Sequence, residues 1–253
     1  PKEIKTYLDR FIVGQADAKK ALAIAICDHY NFIKEALELD DPNHYTKQNV
    51  LMIGPTGVGK TYMVKRIAEL IGVPFVKSDA TKFTETGYQG GDVEDLIRQL
   101  YRKADKNIEL AQFGIIYLDE IDKITTSSSK HHKDVSGRGV QSNLLKLMED
   151  TEIPTQPPWD IQSQIKQMMG SQQSQKKETL HTKHILFIVS GAFNGIDEII
   201  KKRISGANIR FEREATNNNK NKSLTLQKLR TKDLIDFGLE PEFSGRLPVR
   251  VSL

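Results

Sequence analysis

The chain has one cysteine, Cys27, and one tryptophan among 253 residues. A single thiol excludes both a disulfide framework and a cysteine-based zinc site within this segment. Cys27 lies in an apolar helical run, so it reads as a buried thiol in a reducing compartment. No apolar run approaches the roughly 18 residues of a membrane span, and the opening PKEIKTYLDR lacks a secretory pattern. A cytoplasm or an organelle matrix is the expected setting, with no membrane partner. The chain starts at Pro1 rather than Met, and its natural ends are expected to lie elsewhere. Neither sign of charge dominates, since 37 basic and 33 acidic residues leave a net +4 and are mostly interspersed. Clusters such as Lys201, Lys202 and Arg203 read as a solvated helix face, so nucleic acid is not an expected partner. No internal repeat is found.

What is present is enough apolar sequence, 38% of the residues, to fill the core of one large domain. A short helix led by Pro1 precedes a long amphipathic one with apolar residues at helical spacing from Ala18 to Leu39. This helical segment closes at about residue 48, and NVLMIG then reads as a buried strand running into a Gly-rich turn. A helix over 60–71, a strand PFVKSD, a helix over 93–103, a strand GIIYLD, a helix within GRGVQSNLLKLMED, a strand HILFIVSG and a helix GIDEIIKKRI follow. Alternating strands and helices predict an α/β fold, a mainly parallel sheet flanked by helices on both faces. Two segments resist the pattern. Residues 156–180 are Gln-rich and broken by a Pro pair, which predicts a long loop insertion or hairpin, and the polar 206–230 region predicts a flexible loop.

GPTGVGKT, residues 54–61, fits G-x-x-x-x-G-K-[ST] and lies between a predicted strand and a predicted helix. In this phosphate-binding arrangement Pro55 belongs to the turn, and the backbone N–H groups of Thr56, Gly57, Val58 and Gly59 wrap the phosphates. Lys60 reaches the β- and γ-phosphates, Thr61 ligands Mg²⁺, and Tyr62 follows in the first helical turn. The alternative is a chance match in a Gly-rich turn. IIYLDE, residues 115–120, is an apolar strand ending in two acids, which must emerge at its carboxyl end, where open α/β sheets bind ligands. Asp119 there would orient Mg²⁺ and Glu120 would act as general base toward water; the alternative is a pair of helix-capping carboxylates. ETGYQGGD, residues 85–92, sets Tyr88 among glycines, and taken alone it reads as a turn whose aromatic folds back onto the domain.

Together with IVGQ at 12–15 and PEFSGRLPV at 241–249, these motifs resemble the AAA+ ATPases of the Clp/Hsp100 family, closest to the ClpX unfoldases. The likeness runs through LDRFIVGQADAKKAL, DATKFTETGYQGGDVEDLI and KDVSGRGVQSNLLKLMED, and so covers nearly the whole chain as an AAA+ P-loop large domain over 1–253. It implies an ATP hydrolase using ATP and Mg²⁺, assembled as a homohexamer, that threads protein substrates, some brought by adaptors, to a ClpP-like peptidase. It implies a bacterial cytoplasm or a mitochondrial matrix. It gives Ile12 and Val13 to the adenine, where a helix-entry turn is the plainer reading. It makes Arg246 a finger toward a neighbouring subunit's γ-phosphate, otherwise a surface ion pair, and places Ser190 near the nucleotide sensor. Tyr88 and Gln89 become a channel loop gripping polypeptide, 134–140 with Arg138 a second channel loop, and Ile209 and Phe211 the peptidase-docking pair. Departures from the family are Gln89 for an aliphatic, Arg138 for Glu, Arg210 for Gly, and no Arg-Lys-His triplet beyond the loose substitute Lys176-Lys177. The family's zinc-binding module and small helical domain, with its second sensor Arg, do not occur within these residues. A motor acting on nucleic acid and a nucleotide-controlled scaffold are the other readings, the first distinguished by salt-dependent DNA binding.

Overall fold

The computed structural model describes residues 1–39, 47–84, 91–125, 135–156, 178–207 and 225–253. Five strands, β1 (Val50–Ile53), β2 (Phe75–Asp79), β3 (Ile115–Asp119), β6 (Leu186–Gly191) and β7 (Val249–Ser252), form one parallel sheet in the order β2-β3-β6-β1-β7. A two-stranded antiparallel pair, β4 (Glu152–Pro154) and β5 (Thr179–His181), stands apart from it. The pair joins the two described ends of the predicted insertion, and residues 157–177 lie outside the described set.

The inner strands β1, β3 and β6 are apolar up to their carboxyl ends because both faces are covered, and strand alternation assigns each side chain to one face. Val50, Met52, Ile115, Tyr117, Leu186 and Ile188 join a core with α1 (Lys2–Asp9), α2 (Ala16–Leu39) and α3 (Lys60–Ile71). Leu51, Ile53, Ile116, Leu118, Phe187 and Val189 join the opposite core, with α4 (Asp95–Lys103), α5 (Ile108–Gln112), α6 (Val135–Met148), α7 (Ile196–Ala207), α8 (Thr231–Phe237) and α9 (Pro241–Gly245). Side chains of this size, wholly withdrawn from water, each stabilise by about 1.5–3 kcal/mol before entropy is counted. Parallel strands share one carboxyl end, and the phosphate loop, Asp119 and Ser190 all emerge there.

Two expectations change. Cys27 is only half-buried, packed at the edge of the α1–α2–α3 core. Residues 225–230, expected in a flexible loop, turn back so that Leu226 and Leu229 pack on the other core, while the backbone at 206–207 completes α7. The helix expected within GRGVQSNLLKLMED is α6, which begins at Val135 and so takes in most of the 134–140 segment. A Cβ at Gly137 would stand 2.6 Å from the Ile124 carbonyl, so only glycine lets α6 approach the 3-10 turn Ile121–Ile124 this closely. Arg138 on this helix pairs with Glu240, Nε to Oε1 at 3.4 Å.

Candidate functional site

The phosphate loop joins β1 to α3. Gly57 and Gly59 have φ of 85° and 92°, in the left-handed region where a side chain is strained, and a Cβ on either would meet nothing within 4 Å. Their glycines are thus required by conformation, and the space in front of the loop is open. Lys60 opens α3 and is buried, 7% exposed, with Nζ donating to the carbonyls of Gly54 at 2.5 Å and Pro55 at 2.9 Å. Burial lowers its pKa, and the nearby Asp119 and Asp122 push the other way. An ammonium held by two carbonyls at a helix start is a receptor for an anion.

Asp119 comes from the end of β3, with β6 standing between it and β1. Thr61 Oγ1 lies 3.5 Å from Asp119 Oδ2, at the outer limit of a hydrogen bond, and Lys77 Nζ lies 3.9 Å from the same oxygen. Asp119 Oδ1 is held more tightly, accepting from Ser190 Oγ at 2.6 Å and from the Glu120 backbone N–H at 3.1 Å. Ser190 is fully buried at the end of β6, and its Oγ is 2.6 Å from the Tyr117 hydroxyl. Burial pushes the Tyr117 hydroxyl up to about 12, against the pull of its contacts with Ser190 and Thr61, so it stays protonated. Glu120 is exposed and has φ 59°, a left-handed value unusual for a side-chain-bearing residue, which turns it out of the strand line.

The family-suggested adenine pair is split by the fold. Ile12 is buried at 9% in the α1–α2–α3 core, whereas Val13 is 98% exposed. Gln15 Nε2 donates to the Val58 carbonyl at 2.9 Å, tying this segment to the phosphate loop. Tyr62 is 42% exposed and accepts from Arg66, whose guanidinium also covers the Phe11 ring at 4.3 Å.

Arg246 is not brought to this site. Val249 pairs with Val50, at the amino ends of the strands, and the Arg246 carbonyl accepts from Asn49 Nδ2 just before β1. Arg246 therefore lies about one four-residue strand, on the order of 13 Å, from the phosphate-loop end. Its guanidinium pairs with Glu149 Oε1 at 2.6 Å, both side chains roughly half exposed. Tyr88, Gln89, Ile209 and Phe211 lie outside the described residues, as do His131, His132 and Trp159. The stems of the Tyr88 segment meet through a Phe83–Gly91 bridge, and Arg98, 1% exposed, pairs with Glu94 and Asp95 directly after it. Sequence reading passed over Tyr117, Asp122 and Asn49. The sign of Tyr117 was there, a hydroxyl two residues before Asp119 and hence on the same strand face. Asp122, the second aspartate of DEID, accepts from the Phe193 backbone N–H at 3.2 Å.

A family model for the AAA domain (Cdc48 subfamily) matches residues 45–250. The chain is 43% identical over 253 residues to a protein of Borrelia duttonii (strain Ly) named ATP-dependent Clp protease ATP-binding subunit ClpX, covering 98% of this chain and 56% of that protein. It is 38% identical over 257 residues to the protein of the same name from Porphyromonas gingivalis, covering 100% of this chain and 60% of that one. The chain thus spans less than two thirds of the length of these curated relatives. A phosphate loop and an acidic strand end on one edge of a parallel sheet, matched over most of the sequence, place the chain in the AAA domain family, among ATPases of the Clp/Hsp100 type similar to ClpX.

Proposed function

We propose that this domain binds and hydrolyses ATP with Mg²⁺, and that in the whole protein the turnover drives unfolding and threading of protein substrates. The observation that carries the reading is the convergence of the open left-handed loop, the buried Lys60 and the Thr61–Asp119 pair at one sheet edge. The residues fit the group: loop N–H groups and Lys60 suit phosphate oxygens, and a hydroxyl beside a carboxylate suits a hard cation. Among the described residues no three His, Cys, Asp or Glu side chains gather to hold a metal, so the phosphates and water would complete the cation's shell. Bound Mg²⁺–ATP supplies the phosphoanhydride and neutralises part of its charge.

Around it, Lys60 and the loop N–H groups hold the phosphates, and Thr61 and Asp119 hold the cation. Exposed Val13 and Tyr62 flank the base, with Ile12 supporting Val13 from within the core. Glu120, turned outward by its left-handed backbone, accepts the proton of the attacking water. Arg246 acts on the site of a second copy, because it sits at the far end of its own sheet, and this is the physical case for a homohexamer. Tyr88 and Gln89 meet the substrate in the channel, on a segment whose stems are pinned by Phe83, Gly91 and the Arg98 ion pairs. Arg138 at the start of α6 would lie along the same path. Ile209 and Phe211 would dock a ClpP-like peptidase, with adaptors delivering some substrates. A bacterial cytoplasm is the setting that accords with the relatives, and no nucleic-acid role is proposed.

The test uses the full-length protein. Glu120→Gln should still bind ATP while turnover falls by at least about 100-fold, a loss of the size that general base catalysis supplies. Tyr88→Ala should keep ATPase activity and lose unfolding of a fluorescent substrate. Normal unfolding by the Tyr88 variant would sink the channel role, and normal turnover by the Glu120 variant would sink the base.

A further inference from the structure

Ser190 has one hydroxyl proton, and a phosphate oxygen can only accept. The geometry decides where that proton goes. Asp119 Oδ1 is a carboxylate acceptor 2.6 Å away, so Ser190 donates to it. With its proton spent there, the 2.6 Å contact between Ser190 and Tyr117 requires the tyrosine to donate. Tyr117 and Ser190 are each 0% exposed, and they sit on the α3-facing side of adjacent strands. The three groups form a one-way chain, Tyr117 to Ser190 to Asp119, inside the wall of the site.

We propose that Tyr117 and Ser190 are positioning residues that clamp Oδ1 of Asp119 and so leave Oδ2 directed at Thr61 and the cation of a bound metal–nucleotide. This rests on the nucleotide reading above. The asymmetry of Asp119 supports it: Oδ1 accepts two close bonds, from Ser190 and the Glu120 N–H, whereas Oδ2 has only the 3.5 Å approach of Thr61 and the 3.9 Å approach of Lys77. Lys77 is exposed and flexible enough to yield to a cation. A carboxylate free to rotate would spread its charge over several orientations, and a metal would lose the entropy of fixing it. Ser190 therefore acts through Asp119 and makes no bond of its own to phosphate.

The experiment titrates a fluorescent ATP analogue onto the full-length protein, once in EDTA and once across a Mg²⁺ series, with Mn²⁺ binding by electron paramagnetic resonance as a second readout. Tyr117→Phe removes one oxygen and keeps the ring. It should raise the half-saturating Mg²⁺ by about tenfold, the low end of the cost seen when a group behind a metal ligand is removed. Affinity in EDTA should stay within about twofold of the unsubstituted protein. Ser190→Ala should shift the Mg²⁺ dependence in the same direction, and the double variant should lose less than the sum of the two single losses, since Tyr117 acts on Asp119 through Ser190. Equal losses with and without metal would mean a packing role and overturn the proposal. So would an unmoved Mg²⁺ dependence in Tyr117→Phe when the unsubstituted protein shows one. If the unsubstituted protein binds the analogue no better with Mg²⁺ than with EDTA, the metal–nucleotide reading itself falls, and this inference with it.

Discussion

The two ends of the central sheet are built from the same strands, yet they hold their polar groups in opposite ways. At the carboxyl end the phosphate loop leaves open space, Glu120 is exposed, and Asp119 Oδ2 is only loosely engaged. At the amino end nearly every group is tied. Asn49, 1% exposed, donates to the Arg246 carbonyl and accepts from the Phe187 N–H. Lys47 donates to the carbonyls of Glu149 and Thr182, and His29 contacts the His184 carbonyl. The exception is the half-exposed Arg246–Glu149 pair, whose backbone is pinned while its guanidinium faces solvent. One end is arranged to receive a ligand. The other is a tied floor on which the Arg246 guanidinium stands half exposed.

The largest effect that would break this comparison is on turnover. Arg246→Ala in the full-length assembly should cost at least about 1,000-fold in ATP hydrolysis, the lower range for a charge supplied in trans. Analogue binding by the isolated domain should not change, and a drop there would mean that Arg246 serves its own fold. A smaller effect concerns pH. Burial pushes the His29 pKa down to about 3 from its ordinary value near 6.5. The unfolded chain then binds a proton that the fold refuses between those values. Its contribution to stability is complete above pH 6.5 and is lost as pH falls toward 3, by at most about 1.4 kcal/mol per unit. Urea unfolding of His29→Asn across this window should show a shallower acid-side slope, and an unchanged slope would remove His29 from the account. The smallest effect is expected of Glu149→Gln. Its pair with Arg246 is half exposed, so stability should shift by less than about 1 kcal/mol and less still in high salt. A larger loss would mean that Glu149 belongs to the tied floor.

Much of the sheet was legible because a strand buried on both faces must be apolar throughout, and VLMI, IIYL and LFIV admit few other readings. The helix 60–71 was legible for the same kind of reason, with Gly59 and Gly72 at its ends. The short helices α8 and α9 and the edge strand β7 went unread, since four to seven residues carry too little periodicity to stand out. Residues 137–140 were read within a helix and lie in α6, while the close approach of Gly137 to Ile124 could not be read from local pattern. At the site, Lys60, Thr61, Asp119 and Glu120 could be named from local pattern alone, because each sits at a fixed offset from a strand end. Ser190 could be placed near them but its role could not, because the direction of a hydroxyl proton depends on a tyrosine 73 positions away.

Sequence by itself determined the buried inner strands, the phosphate loop and the acids beside it, because these follow from short-range periodicity and from backbone angles that few residues tolerate. Tertiary structure decided which side chains share a face, that Ile12 is core while Val13 is surface, and that Arg246 stands at the opposite end of the sheet from Lys60. Those outcomes depend on strand order and register, which bring together residues far apart in the chain, and no local pattern records them.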